Sequence, residues 1–232
     1  MSGLEILLRN PAETARRAIA GESMRPLVAT SIAAIAAGGA AFGGVVGSFR
    51  GGEQIAYAGI KLPLALLAIL VICVPAFHAI GASLGRAWSY RAVIALSLAA
   101  AARGALVLFA LAPVLWLAID RGLDYHATAL AATIAFAIGG AASLGVLLRG
   151  LGAGPGQLTS ALAIALVFLA VSGQTSWILR PWLVRPRTED VPFVRAREGG
   201  FADAIVTSTR SAAGVYDAQQ SADDLREDGD AW

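Results

Sequence analysis

Five long apolar stretches, separated by short polar ones, run along this chain: residues 26–49, 58–85, 92–119, 127–148 and 158–179. A helix needs about 20 apolar residues to cross a hydrocarbon core about 30 Å thick. Each stretch meets that length, and none contains an Asp or a Glu. The pattern predicts an all-α, polytopic integral membrane bundle of about five segments. The third stretch carries Arg103 and Pro113. It is too long for one upright crossing and too short for two, so it is expected to be kinked or re-entrant, turning at Arg103–Gly104.

The flanks read differently. Residues 1–25 form an expected peripheral, interfacial segment. Within "NPAETARRAIAG", Asn10 can cap a helix, Pro11 suits its first position, Glu13 stands at capping-box spacing and Gly21 can end it. Only "LEILL" is apolar there, so a retained first span is expected rather than a cleaved leader. Residues 26–181 are the expected transmembrane domain. Residues 182–205 mix Arg, Pro and aromatics and suit an extended interfacial segment. Residues 206–232 end in "DDLREDGDAW" and suit a disordered acidic tail. Trp177 and Trp182 suit the headgroup level.

Small residues refine the picture. Gly39, Gly43 and Gly47 recur at four-residue steps and share one helix face, a glycine-zipper pattern that lets another helix approach closely. That contact is expected inside the chain, with a homo-oligomer as the alternative. The fourth stretch carries Gly139, Gly140 and Gly145.

Composition agrees with a membrane setting. The 232 residues are 57% hydrophobic and 15% charged, against about 25% charged in a soluble domain. The cations are 17 Arg and Lys61, and they hug the apolar stretches. A net charge of +2 gives no footprint for nucleic acid. The lone cysteine, Cys73, permits no intrachain disulfide. With five crossings and a cytoplasmic amino end, the basic residues divide evenly between the sides, counting Lys61 as a loop residue. A third stretch that turned back would gather them on the cytoplasmic side. Run length favours five crossings and charge favours six, which leaves the side of the tail open.

Arg103 is the conspicuous polar residue. A charged residue at mid-depth costs about 2.5–3.5 kcal/mol on insertion scales. With no carboxylate in the spans, relief must come from backbone carbonyls, from Ser172, Gln174 or His78, from water, or from lipid phosphates. Three readings follow: a helix cap or headgroup contact, a polar cavity built on Arg103, Gln174 and His78, or contact with another subunit. Other chemistry is poorly supported. Buried acids of the kind proton-driven transporters use are missing. Ser83 and His78 lie five residues apart on one expected helix and do not face each other. His78, His126 and Cys73 lack ligand spacing, and "GLGAGPG" lacks the Lys-Ser/Thr of a phosphate loop. No catalytic residue, metal or cofactor is expected.

Two stretches carry a resemblance. "GIKLPLALLAILVICVPAFHAIGASLG" and "SGQTSWILRPWLVRPRTEDVPFVRAREGGF" resemble segments of a family of small polytopic membrane proteins found in cyanobacteria and other bacteria. The signatures are Trp177, Leu179, Arg180, Pro181 and Trp182, then Arg197, Glu198 and Gly199. The match covers roughly residues 26–205. The resemblance implies a bacterial inner-membrane location but no activity. The five-segment layout is also similar to that of Yip-type proteins, an analogy of layout alone. The expected role is a non-enzymatic scaffold or the membrane subunit of a larger assembly. Its amino end would be cytoplasmic, and a partner would be held through residues 182–232 or the glycine face. The alternative is a pore- or transporter-like subunit around Arg103.

Overall fold

The computed structural model describes residues 3–83, 85, 88–152, 157–179, 182–184 and 193–194. Among these, seven helices form and no strand: α1 (Gly3–Arg9), α2 (Pro11–Ala20), α3 (Met24–Ser48), α4 (Glu53–Ser83), α5 (Tyr90–Asp120), α6 (Tyr125–Leu151) and α7 (Gln157–Ile178). The helices α3 to α7 are each long and apolar enough to cross a membrane. The chain is a multi-pass membrane protein whose outer apolar surface contacts lipid.

Local chemistry sets the helix limits. Asn10 Oδ1 accepts the Glu13 N–H at 2.9 Å, and Pro11 opens α2 without a wasted donor. Gly21 then ends α2 with φ +73°, a left-handed conformation that suits glycine. The capping box is half-formed, because the Glu13 carboxylate binds Arg16 and Arg17 instead of reaching back to Asn10. Ser89 caps α5 through the Ala92 N–H, and Asp124 caps α6 through the Ala127 N–H.

Helix packing follows the small residues. Gly39, Gly43 and Gly47 of α3 lie against Pro63, Ala58 and Gln54 of α4, so these helices form an antiparallel pair in backbone contact. A Cβ at Gly43 or Gly47 would overlap a carbonyl of α4. That face is covered within the chain, so it leaves none of these glycines for a second copy. Gly38 lies equally close to Ala105 of α5. Across α5 and α6, Gly104 meets Gly139 and Ser143, and Gly150 meets Leu96. The start of α5 therefore stands beside the end of α6. Dispersion between closely fitted backbones holds such contacts, since lipid tails are as apolar as the side chains.

Two expectations are corrected. The third stretch does not turn back: α5 is one continuous helix through Arg103, Gly104 and Pro113. Its 31 residues rise about 46 Å, more than a bilayer core needs. Lys61 is not a loop residue. The helix α4 begins at Glu53, and Lys61 lies inside it, fully buried.

The described elements have two ends. The amino-terminal helices, the start of α3 and α5 and the end of α4 and α6 share one. Residues 182–184 lie at the other, where the Gln54 side chain donates to the Trp182 carbonyl at 3.3 Å. From α3 to α7 the chain thus runs between these two ends five times, once in each candidate span.

Candidate polar sites in the bundle

Arg103 occupies the middle of α5, between the buried Ala102 and Gly104. Its side chain leaves the bundle core and reaches α1. Nη1 donates to the Leu7 carbonyl at 2.7 Å and to the Leu8 carbonyl at 3.0 Å. These oxygens belong to the last turn of α1, where carbonyls lack partners within the helix. A cation there also meets the negative end of the helix dipole. Leu7 is fully buried in the main apolar cluster, so its side chain and the Arg103 charge both hold α1 to the bundle. The helix α2 packs alongside, against α5 and α6, through Thr14, Ala15 and Ala18.

The outward side of α2 is charged. Arg16 bridges Glu13 and Glu22 with contacts of 2.8 to 3.0 Å, and Arg17 meets Glu13 at 2.6 Å. The guanidinium groups of Arg16 and Arg17 hold the Glu13 carboxyl down at about 2. Arg16 likewise holds Glu22 below the usual carboxylate range.

The other two residues of the expected polar cavity lie elsewhere. His78, on α4, packs its ring edge-on to Tyr90 at 5.4 Å. Tyr90 opens α5, so Arg103 stands thirteen residues further on, about 20 Å along the helix. His78 Nδ1 is buried without a partner among the described residues. Gln174 is half-buried near the end of α7, toward the opposite end of the bundle. The structure does not gather Arg103, Gln174 and His78. Ser83 is turned back on α4, donating to the Ile80 carbonyl at 2.9 Å. A cavity of about 30 Å³ does lie among α4 to α7, lined by residues including Leu70, Phe77, Ser97 and Phe168. It has room for a water, and the Ser97 hydroxyl beside it has no partner among the described residues.

A second polar cluster lies at the far end, and only its tryptophans were foreseen. Gln54 and Lys61 are both fully buried in the first half of α4. The Phe193 ring covers Lys61, with Nζ 4.9 Å from its centroid, and stands edge-on to Tyr57 at 5.4 Å. Tyr57 donates to Glu53 at 3.0 Å. Trp182 donates its indole N–H to the Ser176 carbonyl at 2.9 Å, closing the end of α7. Trp177 is half-buried on α7. Trp182 and Phe193 thus both lie against the first half of α4. The signal for this was the buried cation itself: a lysine three residues inside an apolar run needs a cover. Arg180, Pro181, Arg197, Glu198 and the acidic stretch 206–232 lie outside the described residues.

Among the described residues, no three His, Cys, Asp or Glu side chains converge as metal ligands would. Cys73 is a buried free thiol. No protein-family model matches the chain, and no curated protein or solved structure is significantly similar to it.

Proposed function

We propose that this multi-pass protein is a non-enzymatic scaffold, or a membrane subunit of a larger assembly, in a bacterial inner membrane. The observation that carries the reading is α7. Only 6% of its apolar window is buried, and α4 is its main neighbour. Leu158, Leu162, Leu166 and Leu169 point outward from it. A helix so lightly held offers most of its surface to lipid or to another protein. The pore-like alternative is weakened by the separation of Arg103, His78 and Gln174 and by the attachment of Arg103 to α1.

The test has two arms. Reconstituted alone in vesicles, the protein should pass no more ions or small polar solutes than protein-free vesicles do. A photo-crosslinker at Leu162 or Leu166 in native membranes should yield one discrete heavier species. Solute flux, or attachment to lipid alone, overturns the reading.

The cytoplasmic side is assigned to the amino-terminal helices. Arg9, Arg16, Arg17, Arg25, Arg91 and Arg149 gather at that end, against Arg50 and Arg121 at the other. The arginines at 180, 185, 187, 195 and 197 follow the far end of α7 and oppose this bias. Labelling single cysteines at Ala12 and Arg121, with Cys73 replaced, decides it. Ala12→Cys should react from the cytoplasm and Arg121→Cys from the opposite side. The reverse pattern overturns the assignment.

A further inference from the structure

We propose that Arg103 binds the phosphate of an anionic phospholipid, drawn down beside α1 and α2. Among the described residues, only one of its three nitrogens has a protein partner. Nη1 spends its two hydrogens on Leu7 and Leu8, whereas Nε and Nη2 have no partner among the described residues. Neither nitrogen is among the sealed, unpaired polar atoms of the bundle, and the side chain is half-buried. The Nε–Nη2 edge of a guanidinium presents two parallel donors that match two phosphate oxygens.

The charge itself calls for an anion. Arg103 forms no ion pair among the described residues, and the carboxylates of the nearby amino-terminal helices are engaged elsewhere. Glu13 and Glu22 bind Arg16 and Arg17, and Glu5 lies 3.8 Å from Arg9. An uncompensated guanidinium in hydrocarbon is costly, so water or a headgroup must reach it.

Geometry shows how a headgroup could do so. From Arg103 to Asp120 is seventeen residues of α5, a rise of about 25 Å. That is shorter than a core of about 30 Å. On this face of the bundle α2 covers α5 and α6 with its charged side outward. Lipid beside that charged surface has its headgroup pulled below the level it takes beside the uninterrupted apolar half of α4.

Native mass spectrometry of the full chain in detergent tests this, with phosphatidylglycerol, phosphatidylcholine or inorganic phosphate added. The wild type should retain one phosphatidylglycerol about tenfold more tightly than phosphatidylcholine, and inorganic phosphate should not displace it. Arg103→Lys keeps the charge but loses the two-donor edge, and should weaken retention about tenfold. Arg149→Lys, at an exposed arginine toward the same end, should not. Equal retention of the two lipids by the wild type overturns the proposal without recourse to any variant. So does unchanged retention by a folded Arg103→Lys, or displacement by inorganic phosphate, which would assign the edge to a free anion.

Discussion

The helices α5 and α7 have similar mean hydropathy, 2.1 and 1.8, yet 67% of one apolar window is buried and only 6% of the other. Hydropathy reports suitability for the bilayer and is blind to whether lipid or protein supplies the neighbours. Residue size separates the two. The helix α5 turns Ala95, Ala99, Ala102 and Ala105 inward, all at most 1% exposed, and crosses α6 at Gly104. The helix α7 turns leucines outward, with Leu158 at 73% and Leu166 at 66%. Where helices must touch, small side chains bring the backbones together. Where lipid is the neighbour, bulk costs nothing.

Three measurements sharpen that contrast. The largest effect is expected at Gly104, where any Cβ would overlap Ser143 and the Gly139 carbonyl. Gly104→Leu should destabilise the bundle by about 3 kcal/mol, at the upper end for overpacking, read from unfolding in bicelles. A cost under about 1 kcal/mol would mean that α5 and α6 can separate freely. A moderate effect is expected on acidification, and it should reach α5 before α7, because α2 covers only the former. The folded Glu13 carboxyl sits near 2 against an ordinary value of 4.5. Its depressed value favours the fold above 4.5, and that contribution is lost as pH falls toward 2. Amide protection in α2, taken relative to the intrinsic exchange rate at each pH, should therefore hold steady from pH 7 to 5 and fall between 4.5 and 2, with Glu13→Gln reducing the step and the further change Glu22→Gln removing what remains. The smallest effect belongs to α7. Leu166→Ala should change stability by less than about 0.5 kcal/mol, as expected of an exposed site. A loss of several times that would show that α7 is packed against something.

Much of this architecture was legible in the chain. The apolar runs locate all five long helices to within about five residues at each end, because a carboxylate-free stretch of that length has few alternatives. The four-residue glycine spacing points to a close helix contact, and Asn10–Pro11 marks the start of α2. The partner of each glycine was not legible, since any helix could have met that face. Arg103 shows why the polar sites were harder. Its acceptors, Leu7 and Leu8, lie 96 and 95 positions away and are backbone oxygens, which no side-chain pattern announces. Without that partner the arginine looked like a break in the helix, and α5 was expected to kink or to turn back at a point where the helix continues. Lys61 misled in the opposite way. A lone cation close to the edge of an apolar run resembles a flank, and only the fold shows α4 starting at Glu53 with Phe193 lying over the amine.

The burial of Lys61 under Phe193 also has a temporal side. Ribosomes make α4 early and Phe193 only after α5, α6 and α7, so the ammonium enters the membrane before its aromatic lid exists. On insertion scales a lysine at the centre of a span costs up to about 3.5 kcal/mol. For that interval the span must carry its ammonium without that lid, and its mean hydropathy of 2.5, the highest of the five candidate spans, offsets the cost.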